Sequence, residues 1–263
     1  VCLSGGKNDR TAVAIVDFYT KDNKKQGQLF LSHLYDQVRP DTEVTSDTVL
    51  LELLNHVHAG STSTAFDAPL TRPLCSPCAS PCESFERCTK PHIQWMQDLY
   101  LRRKDDKKNQ RMFSPYTERA VEQYFNSVFE PDVHVQACLG SNAGPLAARM
   151  AYLKQRISGH LVEVFPRLSV LRLGSRLKIA KKHLLGYRQS MGGTQSRAII
   201  LNAFVEKKLI FLYDQDIQKL VDNAGAFDAL ICAITAQLEW IGDCEKRPFD
   251  FPKQEGWAAV PCI

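Results

Sequence analysis

Apolar positions divide the chain into a strand-rich first part and a helical remainder. Residues 11–19 are dense in Val, Ile and aromatic side chains, and residues 29–38 follow a polar, turn-like stretch at 21–27, which predicts two strands with a short connection. Residues 1–4 read as the end of an earlier strand, so a three-strand antiparallel meander is the natural arrangement. Residues 46–58 then carry Val49, Leu50, Leu53, Leu54 and Val57 at helical spacing, with Ser46 as an N-cap. Residues 62–66 return to strand and run into Asp67-Ala68-Pro69. A proline stops the strand there and leaves Asp67 at its carboxyl end.

The texture changes over residues 70–112, where Pro, Cys and Ser give way to a charged stretch. This reads as a Cys-rich insertion with one short helix at about 93–101, inside a single domain covering residues 1–263. Helices are expected at 117–129 and 145–157. A short buried strand at 161–165 is stopped by Pro166, and further helices are expected at 181–188, 195–207, 214–223 and 227–240. The expected fold class is α/β. The order of elements resembles the ribonuclease-H-like arrangement, in which a three-strand meander continues into parallel strands flanked by helices. Ligands of open sheets gather outside the carboxyl ends of the strands. Asp67 and Glu163 are expected at such ends, with Asp228 opening the last long helix.

Composition narrows the class without naming a function. With 44% hydrophobic and 24% charged residues in 263, the chain has ordinary globular composition. A net charge of +4 is too mild to announce nucleic acid, whose binding calls for a clustered basic face. Candidate clusters are Arg102, Arg103, Lys104, Lys107, Lys108 and Arg111, and later Lys178, Lys181 and Lys182; each run also reads as a solvated face. No stretch reaches the ~18 consecutive apolar residues of a membrane span. Nine cysteines are an odd total and unevenly spread, unlike a secreted disulfide framework. A reducing, cytoplasmic compartment is therefore expected. The chain opens inside a strand, so a leader or short start is expected before it.

Carboxylates that converge from different elements suit phosphodiester hydrolysis. Hard oxygen ligands hold Mg²⁺ or Mn²⁺, and such ions stabilise attacking and leaving oxygens. Asp67, Glu163 and Asp228 are the candidate catalytic set. Taken singly each has a plainer reading: Asp67 as a turn residue capping a backbone N–H, Asp228 as an acid matched to a helix dipole. Gly140-Ser141-Asn142-Ala143-Gly144 leads toward a helix and offers Ser141 and Asn142 to a phosphate, or is an ordinary capped loop. Arg119 and Arg149 are candidates to clamp a phosphate, or to pair with Glu122 or Glu163. The tryptophans Trp95, Trp240 and Trp257 read as packing residues, and His56 and His58 as groups at a helix end.

Cys75, Cys78, Cys82 and Cys88 place four thiols in a short, proline-punctuated loop. Such spacing suits a closed Cys₄ cage for Zn²⁺, an iron–sulfur cluster, or free thiols and disulfides. Zinc would pin an insertion with too few apolar residues to fold alone.

Several segments in order carry a family resemblance. They are Thr64-Ala65-Phe66-Asp67-Ala68-Pro69-Leu70-Thr71, Ser114-Pro115-Tyr116-Thr117-Glu118-Arg119-Ala120, Leu139-Gly140-Ser141-Asn142 through Arg149, Leu161-Val162-Glu163-Val164-Phe165-Pro166, Phe227-Asp228-Ala229-Leu230-Ile231-Cys232-Ala233 and Glu255-Gly256-Trp257. Together they resemble the predicted ribonuclease-H-like nuclease family, a domain of unknown function. The resemblance implies a ribonuclease-H-like fold and a metal-dependent nuclease activity on DNA or RNA. The chain departs from it at Val1-Cys2-Leu3-Ser4-Gly5, where Cys2 stands at the family's first-strand Asp. A thiol is a soft ligand, poorly matched to Mg²⁺. Either Asp9 or Asp17 takes over, or the protein is an impaired, nucleic-acid-binding relative. A Cys-cluster redox or sensor protein is the third expectation.

Overall fold

The computed structural model describes residues 1–5, 9–20, 26–40, 43–57, 63–102, 112–129 and 133–263. Arg103, Lys104, Lys107, Lys108, Arg111 and His58 lie outside the described residues, as does the first residue of the strand expected from 62.

β1 (Val13–Thr20) and β2 (Gly27–Tyr35) form an antiparallel pair, with a register shift between Ile15 and Val16. The β-branched and aromatic residues that fill them suit a pleated, half-buried surface. α1 (Ser46–Val57) buries Leu50 and Leu54 and leads to β3 (Ser63–Phe66). β3 pairs in parallel with β4 (His160–Glu163). Residues 1–3 join the two pairs. Cys2 bridges Ala12 in antiparallel fashion, while Val1 N donates to the Ala65 carbonyl and Asp67 N donates to the Val1 carbonyl. The hydrogen-bonded order is therefore β2, β1, residues 1–3, β3, β4, with β1 antiparallel to the others. β5 (Ile210–Phe211), not expected from the sequence, adds in parallel to β2 at the edge.

Helices cover both faces. Leu50 and Leu54 of α1 and Met150 and Leu153 of α4 (Ala143–Leu153) pack on Val1, Leu3, Val13 and Phe66. The opposite face is covered by α9 (Ala224–Trp240), whose Phe227, Leu230, Ile231 and Ile234 have no exposed surface. α9 is apolar almost all round because further helices cover its outer side, α5 (Pro166–Arg176) and α8 (Asp214–Asp222) among them. α6 (Lys181–Gly186) and α7 (Gly193–Glu206) complete that layer.

α2 (Pro91–Arg102) and α3 (Ala120–Val128) close one end, where Trp257 lies among Tyr124, Phe125 and Phe251. Trp240, read as a packing residue, is 48% exposed. The structure corrects one boundary in particular. The strand expected to run to 165 ends at Glu163, and Pro166 opens α5 instead of merely stopping a strand. Its fixed φ and missing N–H suit a first helical turn. Among the described residues no helix is long and apolar enough to cross a membrane.

Candidate functional site

Two parallel strands and one helix deliver the three acids. Asp67 follows β3 directly, Glu163 is the last residue of β4, and Asp228 lies in the second turn of α9. Side-chain alternation then separates them. Ala65, Val162 and Val164 pack on Cys232 and Ala236 of α9, so Asp67, two residues beyond Ala65, belongs to the α9 face as well. Phe66 and Glu163 are register partners on the opposite face, where Phe66 and Leu161 pack near Met150 and Leu153. The structure brings Asp67 and Asp228 together and turns Glu163 away.

On the α9 face, Cys2 Sγ donates to Asp67 Oδ2 at 2.9 Å, and Leu3 N donates to Asp67 Oδ1 at 2.7 Å. Burial pushes the Asp67 carboxyl up, and these two hydrogen bonds partly offset it. The Cys2 thiol is pushed well above its ordinary value by burial and by the charges of Asp67 and Asp228, so it stays a protonated donor. Asp228 has no exposed surface. Its Oδ1 accepts from the buried Tyr187 hydroxyl at 2.7 Å, and its Oδ2 lies 2.6 Å from Arg188 Nη2 without accepting a well-formed hydrogen bond. Burial raises Asp228 to about 6, against the lowering by Arg188 and Tyr187, and Asp67 adds to the rise. Arg188 itself is 46% exposed. The first turn of α9 is drawn close to this group: Asn223 caps it through Gly225 N and Ala226 N, and Gly225 leaves room beside Cys2 Sγ.

Glu163 belongs to a second, buried charge group. Arg119 has no exposed surface. It pairs with Glu122 and with Glu163, and donates to Thr71 Oγ1 at 3.0 Å. Leu70 N donates to Glu163 Oε2 at 2.8 Å. Burial works against the Arg119 charge, but Glu163 and Glu122 outweigh it and hold its pKa well above ordinary. Glu255 lies near the same guanidinium, and burial pushes it up to about 6 despite Arg119. Of the two sequence readings of Arg119, the ion-pair partner is the one observed. Its donors are spent inside the protein, so it is not presented to a phosphate.

The other candidates are dispersed. Arg149, expected to clamp phosphate or pair with Glu122 or Glu163, instead pairs with Asp9 at 2.7 Å and Asp47 at 2.6 Å. Its place on α4 faces Ser4, Asp9 and Thr11, across the sheet from α9. Asp9 is thereby committed and does not substitute for Cys2. Asp17 is exposed and sits five residues beyond Ala12, roughly 16 Å along the strand from the Cys2 bridge. Ser141 and Asn142 are exposed where α4 begins, and Ser141 has φ 46°. The helix starts at Ala143, two residues before the expected Pro145, and the Asn142 side chain does not cap it.

Tyr187 and Arg188 complete the α9-face site, and nothing in the sequence singles them out. They follow a six-residue helix, and the packing of α6 on α5, which itself lies against α9, brings them to Asp228. Cys75, Cys78, Cys82 and Cys88 line one cavity of about 380 Å³ in the insertion. Among the described residues no group of three or more His, Cys, Asp or Glu side chains is arranged to hold a metal ion as it stands.

A model of the family described as "Protein of unknown function (DUF429)" matches residues 56–253. The chain belongs to that family. Asp67, Glu163, Asp228 and the four clustered cysteines fall within the DUF429 match, and Cys2 lies before it. No curated protein and no solved structure matches the chain.

Proposed function

We propose that this DUF429 chain is a ribonuclease-H-like domain that cleaves nucleic-acid phosphodiesters, with Asp67 and Asp228 holding a divalent cation. One observation carries the reading. Two acids 161 residues apart in sequence, by their numbers, meet on the α9 face at the carboxyl end of the parallel strands, where burial raises both. Raised, converging carboxylates in such a place are what functional sites tend to collect. The strand order, with β1 alone antiparallel among the strands that flank residues 1–3, supports the ribonuclease-H-like reading.

The donor set suits one hard cation. Both acids offer carboxylate oxygens, and Asp228 Oδ2, ion-paired to Arg188 at 2.6 Å, would turn to a metal once Arg188 swings outward. Mg²⁺ or Mn²⁺ there would polarise a phosphoryl oxygen. Cys2, a protonated soft donor, contributes orientation: its hydrogen bond fixes the Asp67 carboxylate. Arg188, half in solvent, neutralises Asp228 and can turn outward to a phosphate, for which its planar fork is well shaped.

A second reading is favoured by Cys2 and by the confinement of Glu163 to the Arg119 pair: a nucleic-acid-binding relative that has lost cleavage. Incubation with single-stranded, duplex, hybrid and branched substrates plus Mg²⁺ or Mn²⁺ separates the two. We expect cleavage that Asp67→Asn and Asp228→Asn each reduce at least about a hundredfold, the scale of one lost transition-state contact. Salt-sensitive binding without cleavage would favour the second reading. Cleavage indifferent to both substitutions would overturn the assignment of the site.

A further inference from the structure

We propose that Cys75, Cys78, Cys82 and Cys88 form a closed tetrahedral zinc site that holds the insertion onto α2. The inference is independent of the chemistry at Asp67 and Asp228, because a closed Cys₄ cage leaves no position for substrate.

Three observations carry it. All four thiols, none in a disulfide, line a single cavity of about 380 Å³. Two of them sit at the close of backbone turns: Cys78 N donates to the Cys75 carbonyl, and Cys88 N donates to the Phe85 carbonyl at the end of a 3₁₀ turn, Phe85–Arg87. Finally, not one residue from 74 to 92 is buried. A segment this long with no core of its own keeps a defined shape only when something staples it. Its protein-based ties are few: Gln97 Nε2 donates to the Phe85 carbonyl, and Phe85 lies against Phe113.

Zinc binding would draw the thiols together across the cavity, where Cys82 Sγ now donates to the Ser84 carbonyl. Each thiol releases its proton to solvent and donates a sulfur lone pair, so one Zn²⁺ displaces four protons and no oxidant or reductant is consumed. The resulting cage is dianionic. Lys90, which lines the same cavity, supplies compensating positive charge, whereas Arg87 there is paired with Glu83. The cage ends at Cys88, three residues before α2, whose Ile93 and Met96 are buried. Gln123 of α3 donates to the Met96 carbonyl at 2.8 Å, so the cage anchors α2 where it supports α3.

The test uses the full chain purified without chelator. Elemental analysis should return one zinc per chain with no stoichiometric iron. A chelator should remove it and expose four additional thiols to a disulfide reagent in the folded protein, and added Zn²⁺ should protect them again. Cys78→Ser with Cys82→Ser should abolish zinc retention while far-UV circular dichroism stays close to that of the parent. Should that variant fail to fold, chelation and re-protection of the parent chain still decide between zinc site and free thiols. Four thiols that remain reactive with added Zn²⁺ would overturn the proposal. So would stoichiometric iron with sulfide and a visible absorption band, or zinc retained by the double variant.

Discussion

Glu255 shows how a single side chain in this protein is held against its preference. It is 4% exposed, its Oε2 has no hydrogen-bond partner, and it shares the neighbourhood of Arg119 with Glu122 and Glu163. Burial raises Glu255 to about 6 although Arg119 and Arg247 lower it, Glu163 adds a little to the rise, and burial raises Glu122 as well. A carboxyl raised on folding binds more protons in the native state than in the unfolded one. It favours folding below its unfolded pKa, and that contribution is lost as pH rises through about 6. Glu255→Gln removes the titration and keeps the shape. Urea denaturation should find the variant stabilised relative to the parent by about 2 kcal/mol more at about pH 8 than at about pH 4. A difference independent of pH would contradict the charge assignment. The motif residues Glu163, Arg119 and Glu255 were legible in the sequence as positions of interest. Their use of one another was not, because an ion pair between β4 and the start of α3 depends on tertiary packing between segments far apart in sequence.

Among the elements, the connection from α6 to α7 has the most exacting geometry. Gly192 adopts φ 78°, and a Cβ at Gly193 would stand 2.9 Å from the Tyr187 carbonyl oxygen and 3.2 Å from Arg197 Nη1. Arg197 donates to that same carbonyl and to the Val221 carbonyl, tying the end of α6 to α7 and α8. Because the obstacle is backbone, Gly193→Ala should displace the turn that carries Tyr187 and Arg188. Overpacking of this kind costs about 1–3 kcal/mol, read as a lower urea midpoint; an unchanged midpoint would show that the turn yields freely. Periodicity locates the helices and strands with strong apolar patterns, such as α1, α9, β1 and β3. It gives no sign of β5, two residues long, and conceals α5 behind a proline that opens a helix. Turn geometry and short edge pairings depend on partners that a local pattern does not contain.

For the whole molecule, the sheet decides which acids share a site. The sequence places Asp67 and Glu163 at strand ends; in the structure β3 ends at Phe66, β4 ends at Glu163, and the two strands are neighbours. Period-two alternation then sends them to opposite faces, so the set expected as three becomes Asp67 with Asp228, flanked by Cys2, Tyr187 and Arg188. Glu163 belongs to the Arg119 group that braces α3 against the sheet. The order of elements was enough to anticipate a mixed α/β architecture flanked by helices, whereas the division of the acids needed the register. Calorimetric titration of Mn²⁺ into the protein tests whether Asp67 and Asp228 together hold a hard cation, as proposed. One site per chain is expected in the parent, weakened at least about tenfold, or ~1.4 kcal/mol, by either Asp67→Asn or Asp228→Asn, and unaffected by Glu163→Gln in protein that remains folded. No Mn²⁺ binding to the parent, or binding that survives both aspartate substitutions, would contradict it.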